Sequence, residues 1–294
     1  MMPPALTVVL AVDGASDRID DRLDAIARSC QGLDADVLVV HSRDIPIAMP
    51  AHPPISATAL AAPGDLVPTF WGLGIANARG DVVALTTTQF RVTEGWAREL
   101  LRPFEADDTV GAGGSVTVSP DAAALTRAVF LIRYSEHMAV PGAPSPAEIA
   151  GDNAAYRRAA VLRACPNVAD GFWEVDVHRV LRAQGGRIVH VPQAIAEFSP
   201  ALSLREMFAN RVVHGSHFGA YRVQVLRWPR LVAVAVTPLV PMVLLARILG
   251  RIRRTGQSLS SAFVLLPAMV TLLGAWAVGE ARGALFAARS GEGR

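Results

Sequence analysis

The chain contains no lysine: all 28 of its basic residues are arginines. That bias fits a GC-rich genome, and it leaves each cationic side chain a planar guanidinium able to grip phosphate through two hydrogen bonds. Cysteine is nearly absent too. Cys30 and Cys165 stand apart in apolar helical contexts, which excludes a disulfide framework or cysteine-based zinc spacing and suits buried thiols in a reducing compartment. Charged residues are only 18% of the 294 residues against 51% hydrophobic, too few for an ordinary soluble protein. The net charge of +2 is small, and no nucleic-acid partner is expected. No basic residue precedes the first apolar run, residues 6–12, so it does not read as a signal peptide. The turn after that run, Asp13-Gly14-Ala15-Ser16, lacks the Gly-x-Gly-x-x-Gly pattern of dinucleotide-binding folds. Internal repeats and low-complexity segments are also missing.

The apolar excess collects near the C-terminus, in the uncharged tracts 231–246 and 255–279. The second is long enough to cross a hydrocarbon core of about 30 Å. The first is shorter and carries Pro238 and Pro241, so it reads as a kinked or re-entrant segment as readily as a clean span. Arg222, Arg227 and Arg230 precede the first tract, and Arg247, Arg251, Arg253 and Arg254 follow it. Both clusters cannot be cytoplasmic if that tract spans, so the topology stays open. In a soluble protein both tracts would be core helices, but little chain remains at this end to bury them. Residues 203–227 just before them place Leu204, Met207, Phe208, Val212 and Phe218 among arginines and histidines. This pattern predicts an amphipathic helix on a membrane surface.

Upstream, continuous apolar runs at 6–12, 36–41, 82–86 and 110–118, with a shorter one at 57–60, read as buried strands. Helical segments alternate with them: one capped by Ser16 or Asp17, with Ile19, Leu23, Ile26, Ala27 and Cys30 on one face, then 65–78, 94–104 and 121–138. Proline-rich stretches at 45–54 and 139–146 read as loops. Such alternation predicts an α/β fold with a doubly wound, mostly parallel sheet, whose ligands bind beyond the carboxyl ends of its strands.

The most informative stretch is 171–192. Glu174 and Asp176 open a helix, a glycine pair ends it, and a strand closes on Val191-Pro192. An acidic helix start is favourable in any protein. Here the whole grammar resembles the end of the catalytic domain in family-2 glycosyltransferases. Gly74-Ile75-Ala76-Asn77-Ala78-Arg79-Gly80-Asp81 resembles that family's "Gly-Ile-x-x-Ala-x-Gly-Asp" segment, and Glu94-Gly95-Trp96 its "Pro-Gly-Trp". Gly151-Asp152-Asn153-Ala154-Ala155-Tyr156-Arg157-Arg158 resembles its "Gly-x-Asn-x-Ala-x-Arg-Arg". The matches run in order over residues 6 to 225.

The resemblance implies a GT-A fold, a nucleotide-sugar donor and a lipid or glycan acceptor at a membrane. It implies inversion by direct displacement, with Glu174 as the base and Asp176 as a supporting acid. Asp152, Asn153 and Arg158 would lie near donor and acceptor. A carboxylate acting as base must lie within hydrogen-bond reach of the acceptor hydroxyl.

Departures from the family are equally specific. Where an Asp-x-Asp motif would hold Mg²⁺ or Mn²⁺ against the donor diphosphate, this chain reads Thr86-Thr87-Thr88-Gln89. Hard cations prefer charged oxygen ligands, so a metal cofactor is weakened here, and Thr87 and Thr88 become the donor contacts expected at that place. The acidic turn that usually meets the nucleobase is His41-Ser42-Arg43-Asp44, and Trp71-Gly72 replaces a usual Arg-Asn. Arg211 and His214 lie where relatives carry a Gln/Arg-rich motif under the diphosphate. They supply positive charge there, or they anchor a basic helix at the interface. His214 and His217 lack a third ligand and do not make a metal site. Asp13 is either a ligand-edge residue or a helix cap. Trp173 either stacks on a sugar or belongs to the core.

The expected organisation is a GT-A domain over 1–200, an interfacial helix over 201–230, two membrane-embedded helices over 231–280 and a polar tail over 281–294. The expected activity is sugar transfer to a membrane-associated acceptor at the cytoplasmic face of the cell membrane. The rival is a catalytically inactive, membrane-tethered scaffold of the same fold.

Overall fold

The structure is a computed structural model that describes residues 5–12, 14, 19–64, 66–140, 145–254 and 259–287. In chain order its first elements are β1 (Leu6–Ala11), α1 (Ile19–Ser29), β2 (Ala35–Ser42), β3 (Ala57–Ala62), α2 (Val67–Asn77), β4 (Val82–Thr87) and β5 (Phe90–Val92). Next come α3 (Trp96–Leu101), β6 (Thr109–Thr117), α4 (Ala124–Tyr134), β7 (Ala154–Arg157), α5 (Arg158–Ala164), α6 (Glu174–Ala183) and β8 (Arg187–Phe198). The last are α7 (Leu204–Gln224), α8 (Arg230–Ala235), α9 (Val240–Arg254) and α10 (Leu259–Phe286). They form two compact units, Met1–Ser119 with His137–Pro200, and Pro120–Glu136 with Ala201–Arg294. α4, expected within the sheet domain, thus groups with the C-terminal helices. Ser16 and Asp17, the expected cap of α1, lie outside the described residues.

The first unit is an eight-stranded sheet in the order β3-β2-β1-β4-β7-β6-β8-β5. β1 and β4 are buried along their whole length, as continuous apolar runs require when both faces are covered. Six strands run one way, while β7 and β5 pair antiparallel to their neighbours. The chain winds outward from β1 through β2 to β3, then crosses back through α2 to β4 on the other side of β1. The switch in winding therefore falls between β1 and β4, where Ala11 pairs with Thr87. At this point a doubly wound sheet leaves a crevice.

β8 corrects the expectation that its strand ends at Pro192. A register shift carries its pairing with β6 from Val191 to Ile195, and the strand resumes to Phe198 to receive β5. Proline lacks the N–H a ladder needs, so it is accommodated at this irregularity.

In the second unit α7 runs parallel to the later half of α10, and glycines set their separation. A Cβ on Gly215 would lie 2.2 Å from the Trp276 carbonyl oxygen, and one on Gly219 2.0 Å from that of Glu280. Gly279 and Gly283 meet the Val212 and Ser216 carbonyls in the same way, at 2.1 and 1.8 Å. Two Gly-x-x-x-Gly ridges thus face each other, the device that brings helix backbones close together. Arg222 Nε approaches Glu280 Oε1 at 2.7 Å, and Trp276 Nε1 donates to Glu280 Oε2 at 3.2 Å. Of the apolar residues expected on the membrane-facing side of α7, Leu204, Phe208 and Phe218 are exposed and Val212 is half-buried, while Met207 is buried together with Gly215 and Gly219.

Two stretches, Arg230–Arg254 and Ala262–Phe286, are long and apolar enough to cross a membrane. The first is interrupted by the 3-10 turn Thr237–Leu239 around Pro238, so of the forms the sequence left open it is not one clean helix. The second continues helical to Phe286, past the expected start of the polar tail at 281. Residues 288–294 of that tail lie outside the described residues.

Candidate active site

At the switch between β1 and β4, the end of β4 and the turn after it bring Thr86, Thr87 and Thr88 under the surface. Trp71, on α2, reaches this turn and donates its Nε1–H to the Thr86 carbonyl at 3.3 Å. The ring also faces the 3-10 turn Gly151–Asn153, where a Cβ on Gly151 would lie 3.0 Å from the indole and 3.1 Å from a Glu174 carboxylate oxygen. A larger residue here would press on the Trp71 ring and the Glu174 carboxylate, which would have to give by a few tenths of an ångström. Trp71 therefore joins Thr86, Gly151 and Glu174 into one cluster. Asp152, adjacent in the same turn, is buried, and Glu174 is half-buried at the first position of α6. Sequence reasoning noted Trp71 only as a replaced family residue, although a tryptophan beside a glycine on a sheet-covering helix signals a packing role.

The cluster does not fit a divalent metal. Thr87 Oγ1 accepts from Gln89 N at 3.2 Å, and the buried Thr86 Oγ1 has no hydrogen-bond partner among the described residues. The Thr88 carbonyl takes the Arg22 Nε–H at 2.9 Å, while the rest of that guanidinium bonds Asp21 and the Ser199 hydroxyl. Arg22 is 2% exposed, so a fixed positive charge sits where a dication would need carboxylates. Among the described residues no group of three or more His, Cys, Asp or Glu side chains is placed to hold a metal ion. Sequence reasoning missed Arg22, whose neighbours one turn away on α1, Ile19, Ala25 and Ile26, are apolar. A charged residue on that buried side of a helix was the available signal.

Behind Glu174 lies a second arrangement that the sequence did not reveal. The Tyr156 hydroxyl and His178 Nε2 are 2.8 Å apart, His178 Nδ1 and Glu148 Oε2 2.7 Å, and Arg182 donates to Glu148 Oε1 at 2.5 Å. Burial is the main influence on His178 and holds its pKa below the ordinary value despite the Glu148 carboxylate. A neutral imidazole placed in this way donates Nδ1–H to Glu148 and accepts the Tyr156 O–H at Nε2. Burial pushes the Tyr156 phenol well above its usual range, and Glu174 and Asp152 add to the effect by their negative charge. Both carboxylates therefore act on one buried tyrosine. His178 follows Glu174 by four residues, so these bonds anchor α6 by the same side that carries Glu174.

Other expected site residues fall elsewhere. Asn153 is fully buried, accepts from Trp96 Nε1 at 2.6 Å, and donates to the Ser115 and Ala194 carbonyls. It braces three segments beneath the site. Arg158 donates to the Ile75 and Ala76 carbonyls at the end of α2, and Arg79 pairs with Asp36. Both belong to the opposite, amino-terminal edge of the sheet and do not join Glu174. Asp176 lies on α6 with Arg179 at 3.7 Å. Asp13 lies outside the described residues. Arg211 and His214 stand on α7 in the second unit, where Arg211 sits 5.9 Å from the centre of the Trp276 ring. A cavity of about 450 Å³ lined by Arg102, Glu105, Arg187, His190 and Gln193 contains none of the expected site residues. Cys30 is buried and its thiol pushed up to about 11, which makes it inert, and Cys165 is half-buried.

Fold and site together define a mixed α/β protein with an eight-stranded, mostly parallel sheet and two long apolar helical stretches at its C-terminal end. No family model matches the chain, and no curated protein matches it.

Proposed function

We propose that the chain is a membrane-attached glycosyltransferase that moves a sugar from a nucleotide-sugar to a membrane-associated lipid or glycan acceptor. The observation that carries this reading is the Glu174 carboxylate, held beside Gly151 and Trp71 at the strand switch and half-open to solvent. In the proposed reaction Glu174 takes the proton of the acceptor hydroxyl. The oxygen attacks the anomeric carbon from the face opposite the diphosphate, which leaves with the bonding pair and inverts the configuration. No step runs through a metal, because the Thr86–Gln89 turn offers neutral oxygens beside Arg22. The same turn favours a second reading, an inactive relative that has lost its donor site.

Calorimetric titration with UDP- and GDP-sugars separates the two, since only the transferase binds a donor and releases nucleoside diphosphate. For the transferase, donor affinity should be nearly the same in Mg²⁺ and in EDTA. A tenfold fall on chelation, about 1.4 kcal/mol, would show that other carboxylates rebuild a metal site.

Membrane attachment is assigned to the chain beyond Pro200, with the sheet unit on the cytoplasmic side. Its support is that only 17% and 39% of the most apolar windows of the two stretches are buried, whereas the core helix of a soluble protein is mostly buried. Full-length protein should stay in the membrane pellet through a high-salt wash that screens surface charge. Release by salt alone would contradict insertion.

A further inference from the structure

The three residues before α6 are arranged in an unusual way. Gly171 has φ of 152°, a conformation that side-chain-bearing residues avoid. The turn sends Phe172 inward, where it is fully buried and meets the Tyr156 ring edge-on with centroids 5.0 Å apart. It sends Trp173 outward, leaving that side chain 46% exposed. Gly171 has a second duty, because a Cβ there would lie 3.0 Å from Trp173 Nε1. The indole is thus folded back over the glycine. The Trp173 carbonyl accepts from the backbone N–H groups of Asp176 and Val177, both at 3.1 Å, which fixes its backbone as the start of α6. A large aromatic is therefore held in place at the surface, immediately beside the proposed base.

We infer that Trp173 is a stacking platform for a saccharide, so that the acceptor offered to Glu174 is a sugar ring. Its catalytic meaning rests on the transferase reading of Glu174, but saccharide binding does not. The chemistry selects this ligand class. A pyranose presents a face of C–H bonds that suits the face of an indole, and a rim of hydroxyls that donate to carboxylates. Glu174 and Asp176 supply those carboxylates within three residues of the ring, and the Asp176 side chain is 45% exposed. The Glu174 charge opposes a phosphate headgroup and favours a neutral polyol over an anionic lipid, while Asp176 is partly offset by Arg179 at 3.7 Å. Holding the ring in advance also lowers the entropy lost on binding.

The test uses the full chain in nanodiscs, with its five tryptophans replaced by 5-fluorotryptophan and the Trp173 resonance assigned from Trp173→Phe. Maltose, cellobiose, lactose and chitobiose are titrated in one arm, inorganic phosphate and anionic phospholipid vesicles in another. At least one disaccharide should shift the Trp173 signal saturably, while the phosphate and vesicle arm leaves it in place. By calorimetry Trp173→Ala should weaken that disaccharide about tenfold, the upper worth of an aromatic contact, and Trp173→Phe should lose less. Residue 173 lies on the surface, so both variants should melt as the parent does. A resonance unmoved by every disaccharide, a response to phosphate or vesicles instead, or unchanged affinity in Trp173→Ala would each overturn the inference. Nucleotide-sugar titration of the same samples reads the transferase proposal separately. Saccharide binding without donor binding leaves the platform standing and removes the transferase.

Discussion

Glu174→Gln should lower sugar transfer by about 10²- to 10⁴-fold, the usual worth of a general base, with donor affinity and melting unchanged. Glutamine keeps the shape and the hydrogen-bonding capacity that the packing against Gly151 and Trp71 demands. It cannot take a proton, so the loss should appear in turnover rather than in binding. Half-burial favours a real effect, since water is partly excluded while the acceptor can still enter. The tethering of α6 through His178 to Tyr156 and Glu148 should keep residue 174 in place in the variant. Initial-rate measurement of nucleoside diphosphate release decides the matter. Wild-type turnover would remove Glu174 from the mechanism and move attention to the buried Asp152.

The second large effect concerns stability. Gly219→Leu should cost about 3 kcal/mol, the upper range for overpacking a tight contact, because even a Cβ there falls 2.0 Å from a backbone oxygen of α10. Backbone cannot swing aside as a flexible side chain can, so α7 and α10 must separate. Separation would also strain the Arg222–Glu280 pair and leave a buried carboxylate without its partner. Gly274→Leu, on the facing helix α10 but pointing into open space, is the control and should lose nothing, since leucine is the better helix former. Melting curves of the two variants in detergent give the comparison. Equal melting temperatures would mean that the two glycine ridges do not set the helix separation.

Much of the first unit was legible locally. β1 and β4 are continuous apolar runs, and such runs form strands buried on both faces wherever they fall in a sheet. The end of α6 was equally plain. Gly185 takes φ of 83° and closes the helix through its N–H to Arg182 O, a geometry glycine adopts without strain. The break around Pro238 followed from a missing N–H alone. In each case a residue's own covalent chemistry, or its nearest neighbours, decides the outcome.

Other features were hidden because they depend on partners far along the chain. β7 is only four residues long, and its antiparallel place between β4 and β6 exists only once both strands do. The continuation of β8 past Pro192 needs β6 to accept the register shift and β5 to pair with the extension. On α7 the sequence displays large apolar side chains, yet the smallest residues form the buried side, because matching glycines on α10 allow closer approach than any side-chain packing would. Arg22 reads as one more arginine until the turn at Thr88, 66 residues away, receives its hydrogen bond. Periodicity and composition thus settled where the longer strands, most of the helices and the apolar stretches lie, since those follow from short-range backbone preferences and solvent transfer. Only tertiary structure set Trp71, Gly151 and Glu174 against one another, buried Phe172 while presenting Trp173, and brought the Arg22 guanidinium to the turn at Thr88. Those outcomes turn on distances between residues remote in sequence, which no local pattern encodes.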